Sequence, residues 1–188
     1  MSVYDRAAVS YERVGPPFFS YFGRRIVDMV GVPEASRVLD VACGTGAVLL
    51  ATAERIGPRG VIVGLIVSEG WWWEGDDRWQ WHRALLDALG IRIDQEPRRF
   101  AAPQNLLEML TDQGFERVSV STENYTLVFA DVEEWWNWTW SHGYRQILER
   151  MSASQLERYR VTCFEHLQDR PVEGRLQVFL AGGMKPST

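Results

Sequence analysis

The sequence predicts an α/β fold, a sheet flanked by helices, on three observations. Residues 37–56 read as strand, tight turn and helix: Val38, Leu39 and Val41 form a short apolar run, residues 42–46 are small, and Leu49, Leu50, Ala53 and Ile56 follow at helical spacing. Residues 61–67, Val-Ile-Val-Gly-Leu-Ile-Val, are apolar on both faces, as in a strand inside a covered, parallel-type sheet. Residues 115–121, 124–129 and 176–183 return to strand composition among segments of helical periodicity.

Residues 3–31 read as two helices broken at Gly15-Pro16-Pro17, because proline suits a first helical turn and not an interior. Tyr4, Tyr11, Phe18, Phe19, Phe22, Ile26 and Val30 supply their apolar face. In the turn after the first predicted strand, Gly44 and Gly46 reach positive φ without steric cost and let a ligand lie on bare backbone. The amides opening the next helix then point at that ligand with the positive end of the helix dipole behind them. Asp40 closes the strand where a carboxylate can meet an ammonium or a hydroxyl. Such a site suits a small molecule carrying both a carboxylate and an amino group.

The string Val38-Leu-Asp-Val-Ala-Cys-Gly-Thr-Gly46 resembles the first motif of class I S-adenosylmethionine-dependent methyltransferases, usually LDxGCGTG, with Ala42 at the first glycine. The resemblance implies a Rossmann-like sheet flanked by helices, with an antiparallel last strand, and methylation of a small molecule. It implies S-adenosylmethionine as cofactor, held by Asp40, Ala42, Cys43, Gly44, Thr45 and Gly46. It also implies an aromatic N-terminal lid, from which Tyr11 reaches the cofactor. Residues 61–65 resemble the family's VxGxD strand, but Ile66 takes the place of the acid that receives the ribose hydroxyls. A hydrogen bond to a charged group contributes roughly 1.5 to 3 kcal/mol, so this change weakens the expected affinity.

The segment from Ile66 to Trp79 resembles the stretch after the family's fifth strand, so the chain passes from a second strand to a fifth with the middle of the domain absent. An internal deletion, natural or engineered, and a longer polypeptide both account for that junction. The resemblance thus implies an incomplete sheet whose edges need cover, which a homodimer would supply. One domain is expected, with a helical lid (1–32), a cofactor-binding part (33–70) and substrate-side helices with the C-terminal strands (71–188).

Asp76 or Asp77 caps a helix bearing Trp81, Leu85, Leu86 and Leu89 and stopped by Gly90. A linker at 97–103 leads to a helix with Leu106, Leu107, Met109 and Leu110, ended by Gly114. The Gly114-Phe115 pair resembles the family's turn before the penultimate strand, and residues 176–183 its last strand. Asp131-Val-Glu-Glu134 opens a helix expected to run to Met151, and Ser152-Ala-Ser-Gln155 is a capping box for another, with Leu156, Tyr159, Cys163, Phe164 and Leu167.

Nine tryptophans stand out, concentrated at 71–73, 79–81 and 135–140. Their large rigid rings point to an aromatic cavity or a buried interface. Trp71, Trp72, Trp73, Trp136 and Trp140 are the expected contacts to a flat or apolar acceptor. Those at 135–140 are too closely spaced to share one helix face. An acceptor hydroxyl can need a base, for which His82 and His142 are the candidates, and His142 is preferred.

A net charge of −5 argues against a nucleic-acid-binding surface, which needs a basic patch. Cys43 and Cys163 suggest neither a disulfide framework nor a metal site. The longest aliphatic run is far too short to cross a bilayer, and no apolar signal segment opens the chain, so a cytoplasmic protein without membrane contact is expected.

Overall fold

The computed structural model describes residues 6–7, 10–11, 13–36, 38, 46–56, 67–68, 76–93, 102–168 and 171–184. Its elements run α1 (Phe18–Val30), α2 (Ala47–Ile56), β1 (Val67–Ser68), a 3-10 turn (Asp77–Trp79), α3 (Gln80–Ala88), α4 (Pro103–Asp112), β2 (Glu116–Phe129), α5 (Val132–Trp140), α6 (Arg145–Glu149), α7 (Ala153–Leu167) and β3 (Val172–Met184). The chain is therefore α/β. The described strands form a sheet of order β1-β3-β2. β3, last in sequence, lies between the other two and runs antiparallel to β1, with Val67 opposite Phe179 and Ser68 opposite Val178.

The chain divides into two compact units, one of Met1–Pro17, Trp71–Glu96 and Thr126–Leu176, the other of Phe18–Gly70, Pro97–Tyr125 and Gln177–Thr188. In the second, α1 buries Phe18, Phe22, Ile26 and Val27 and packs on α2, which buries Val48, Ala51, Thr52 and Ile56. Thr52 is tolerated there because its hydroxyl donates to the Val48 carbonyl at 2.7 Å. The helix predicted after the glycine turn is present, but its buried face is rotated from the expected one. Leu50 is 68% exposed and Ala53 is also exposed. The reason is the close approach of Gly23 on α1 to the Ala47 and Val48 backbone, which sets α2 with Val48 and Ala51 inward. Leu50 instead lines an open groove of about 510 Å³ with Ser20, Arg24, Ala47, Ala51 and Glu54.

Residues 115–121 and 124–129 join in one 14-residue strand, β2. Leu106 alone is buried on α4, so Leu107 lies outside the expected apolar face.

In the first unit, Asp76 caps the 3-10 turn by accepting from the Arg78 amide at 3.1 Å, and α3 ends at Gly90, φ 71°. The Trp79 indole donates to the Glu173 carbonyl at 2.6 Å, tying this turn to β3. Ser152 and Gln155 form the expected capping box of α7. Tyr159, Cys163 and Leu167 face inward from α7. The core is completed by Leu86, Leu127, Phe129, Trp135, Trp138, Tyr144 and Leu148.

The helix expected from Asp131 to Met151 is two helices. Asp131 accepts from the Glu134 amide at 2.8 Å and so opens α5. At its other end the Trp138 carbonyl receives the Ser141 amide at 2.9 Å, the Ser141 hydroxyl at 2.8 Å and the His142 ring at 2.7 Å. These local donors compete with the helical ladder and stop it; α6 begins three residues after His142.

Candidate active site

Gly46 is the described end of the glycine turn. It is buried, with φ 88°, and the Leu50 amide donates to its carbonyl at 2.8 Å as the first bond of α2. The amides of Ala47, Val48 and Leu49 thus precede the intrahelical ladder, the arrangement that favours an anionic group. The left-handed backbone here requires glycine, as the motif does. Asp40, Ala42, Cys43, Gly44 and Thr45 lie outside the described residues, as do Ile66 and Trp71, Trp72 and Trp73. Tyr11 is half-buried in the first unit, where its amide donates to the Ala7 carbonyl at 2.8 Å.

Apart from Trp81, which is half-buried and stacks on Trp79 at 5.6 Å and on His166 at 4.3 Å, the described tryptophans separate into two sets. Trp79, Trp135 and Trp138 are core residues, 2%, 0% and 3% exposed, with Trp79 and Trp135 stacked at 5.9 Å. Trp136 and Trp140 are half-buried on another side of α5, their ring centres 6.1 Å apart. Trp136 also meets Tyr159 and Phe164, each at 6.1 Å. The crowded spacing therefore resolves into an inner and an outer set. Spacing four apart on a helix is what brings Trp136 and Trp140 together.

His142 lies against Trp138, ring centres 4.0 Å apart. Since a carbonyl only accepts, its Nδ1 carries the proton donated to Trp138, leaving the Nε2 lone pair as the ring's basic position. Burial lowers its pKa to about 4, with the Trp138 carbonyl acting in the opposite direction. The imidazole is therefore neutral at pH 7.

His82 is wholly buried. Its Nε2 lies 2.6 Å from the Tyr159 hydroxyl and 3.2 Å from that of Tyr144, and the two hydroxyls are 2.9 Å apart. Burial lowers the His82 pKa to about 3, raises both tyrosines and, for the neighbouring Cys163 thiol, gives a value pushed up to about 12. This cluster joins α3, the start of α6 and α7. It makes His82 a cross-link of the core rather than a base. Sequence reasoning placed Tyr159 on an apolar helix face but gave no sign that it meets His82, 77 positions away.

Part of this chain is similar to two characterised methyltransferases. Nocamycin O-methyltransferase of Saccharothrix syringae is 45% identical over 67 residues, which are 36% of this chain and 24% of that protein. Aklanonic acid methyltransferase DauC of Streptomyces sp. (strain C5) is 39% identical over 67 residues, 36% of this chain and 30% of that protein. Over that stretch the chain is similar to these two methyltransferases. The match spans a quarter to a third of these relatives' length. No family model matches the chain, and no solved structure does. Among the described residues, no helix is long and apolar enough to cross a membrane.

Proposed function

We propose that this protein transfers a methyl group from S-adenosylmethionine to an oxygen of a small aromatic or apolar molecule. The observation that carries the reading is the left-handed Gly46 at the head of α2, in a motif-bearing chain whose relatives are named as methyltransferases. The described part of the turn fits such a cofactor: Gly46 adopts a backbone that other residues resist, and the first amides of α2 suit its carboxylate. Asp40, Ala42, Cys43, Gly44 and Thr45 complete the contacts, with Tyr11 in the lid. A Rossmann-like sheet is the fold this reading entails.

When bound, S-adenosylmethionine would supply an activated methyl group on a sulfonium, with a neutral thioether as the leaving group. The protein's part is then mainly to orient the acceptor, a contribution that can reach several kcal/mol. Trp136 and Trp140 are the acceptor contacts of this reading among the described residues, and Trp71, Trp72 and Trp73 are the further contacts it calls for. His142, neutral and with Nδ1 committed to Trp138, takes the acceptor proton at Nε2.

A second reading is a non-catalytic methyltransferase-like module for binding or dimerisation, favoured by Ile66 in the place of the ribose-binding acid. Incubation with methyl-labelled S-adenosylmethionine and a panel of hydroxylated aromatic compounds separates the two. Labelled product that disappears in Gly46→Ala supports the enzyme; absence of any binding heat with S-adenosylmethionine in folded protein supports the module.

A further inference from the structure

The turn that carries His142 is held on both sides by the N-terminal segment of the same unit. The described residues of that segment fold locally: the Tyr11 amide donates to the Ala7 carbonyl at 2.8 Å, the Arg13 amide to that of Ser10 at 3.0 Å, and Ala7 is buried. At one end Arg6 gives two N–H groups to Glu149 of α6, Nε at 2.9 Å and also Nη2. The same carboxylate accepts from Arg145 Nε at 2.7 Å, and Arg145 Nη1 donates to the Arg6 carbonyl at 3.0 Å. An isolated exposed ion pair contributes little. Here one carboxylate, 27% exposed, joins two guanidiniums, and the second of them also grips the backbone of the first.

At the other end Gly15, φ 78°, lies against α5. A Cβ on it would come within 2.6 Å of Trp138 Cδ1, 3.0 Å of Trp138 Cγ and 3.2 Å of Phe129 Cε1. The indole is confined: Trp138 is 3% exposed, with the Phe129 ring centre at 5.1 Å and that of His142 at 4.0 Å. Cγ is the root of the ring, so it clears an intruding group only if the whole side chain leaves its rotamer. The residue that Gly15 touches is thus the one whose carbonyl takes the His142 Nδ1 proton at 2.7 Å. The segment is pinned before His142, at Trp138, and after it, at Glu149.

We propose that the N-terminal segment is a strap that fixes the turn between α5 and α6, with Gly15 and Glu149 as positioning residues that keep the His142 proton on Nδ1. Which nitrogen carries the proton is set by the hydrogen bond its partner nitrogen makes. A loosened turn lets the ring part from the Trp138 carbonyl and mixes the two tautomers, so that Nε2 is no longer always the basic position. The value of the strap for catalysis rests on the reading of His142 as the base.

The test combines proton–nitrogen correlation spectra of the imidazoles with amide hydrogen exchange, on the whole chain at neutral pH without cofactor or acceptor. In the parent, His142 shows one neutral tautomer, protonated at Nδ1. Glu149→Ala raises exchange at the Tyr11 and Arg13 amides by about three- to fivefold, the ratio expected for a networked surface pair. It also mixes the His142 tautomers and leaves the His82 signals unchanged. Arg6→Gln does the same, and Arg6→Lys keeps part of the parent behaviour. Glu157→Ala, which removes an exposed carboxylate of α7, changes neither signal. Gly15→Ala mixes the tautomers in protein whose circular dichroism spectrum shows it folded, and the exposed Glu149 variant carries the test where it does not fold. Unchanged exchange in Glu149→Ala overturns the strap. Faster exchange with the His142 tautomer unaltered overturns the positioning role. Either failure leaves methyl transfer untouched, whereas the expected spectra in a chain that transfers no label overturn the methyltransferase reading and leave the strap standing.

Discussion

Gly23 of α1 and Ala47 of α2 meet backbone to backbone: a Cβ on Gly23 would sit 2.7 Å from both the carbonyl carbon and the oxygen of Ala47, and 3.1 Å from the Val48 nitrogen. Helix α1 therefore holds the first turn of α2, and with it the end of the glycine loop. Alanine at position 23 gains about 1 kcal/mol of helix propensity. It also collides with backbone that cannot rotate away, and overpacking of this kind costs about 1 to 3 kcal/mol. Gly23→Ala is expected to lower the urea midpoint, and a midpoint at or above the parent's would contradict the close approach.

Gly46→Ala tests a different term. Among the described residues a Cβ there would meet only Leu49, at an ordinary 3.6 Å, so the cost considered is conformational. Holding a non-glycine residue at a φ of 88° costs about 1 to 2 kcal/mol. The variant is expected to lose that much stability in urea denaturation and to bind S-adenosylmethionine more weakly.

Acid should destabilise this protein through two imidazoles, the buried His82 and the half-buried His142. His82 and His142 have folded pKa values lowered to about 3 and about 4 by burial, against an ordinary 6.5. Unfolded chains take up protons near 6.5 while folded ones do not, so the stability these neutral rings contribute is present above that pH. It is lost as pH falls through the window toward 4 and 3. Urea midpoints at pH 7 and pH 5 are expected to fall with acid, and His82→Asn should flatten the slope. A pH-independent midpoint would contradict the burial.

Tyr159→Phe removes the hydroxyl that bridges His82, at 2.6 Å, and Tyr144, at 2.9 Å, in the core. An unsatisfied buried polar group costs about 1 to 3 kcal/mol. Because Trp136 packs on Tyr159, near-ultraviolet circular dichroism should change with it. Unaltered stability would mean that the hydroxyl cluster does not tie α7 to its neighbours.

What could be read from the sequence was mostly local. Gly90 and Gly114 ended their helices at positive φ, and Ser152 with Gln155 opened α7, because caps depend on residues within one turn. The mixed α/β character and the antiparallel pairing of the last strand also came from pattern and resemblance. Long-range partners were another matter. No periodicity could place β3 between β1 and β2, bring Tyr159 to His82, or turn Leu50 outward, since each depends on the packing of distant segments. The stop of α5 at Ser141-His142 was legible in principle. A serine, a histidine and Gly143 in succession compete with the helical ladder, but the strong cap at Asp131 favoured reading on.

The central claim, that the turn ending at Gly46 receives S-adenosylmethionine, is tested most directly by isothermal titration of the whole chain with that cofactor. The account predicts saturable heat from one site per chain, weakened in Gly46→Ala. Absence of saturable heat in folded protein would contradict it.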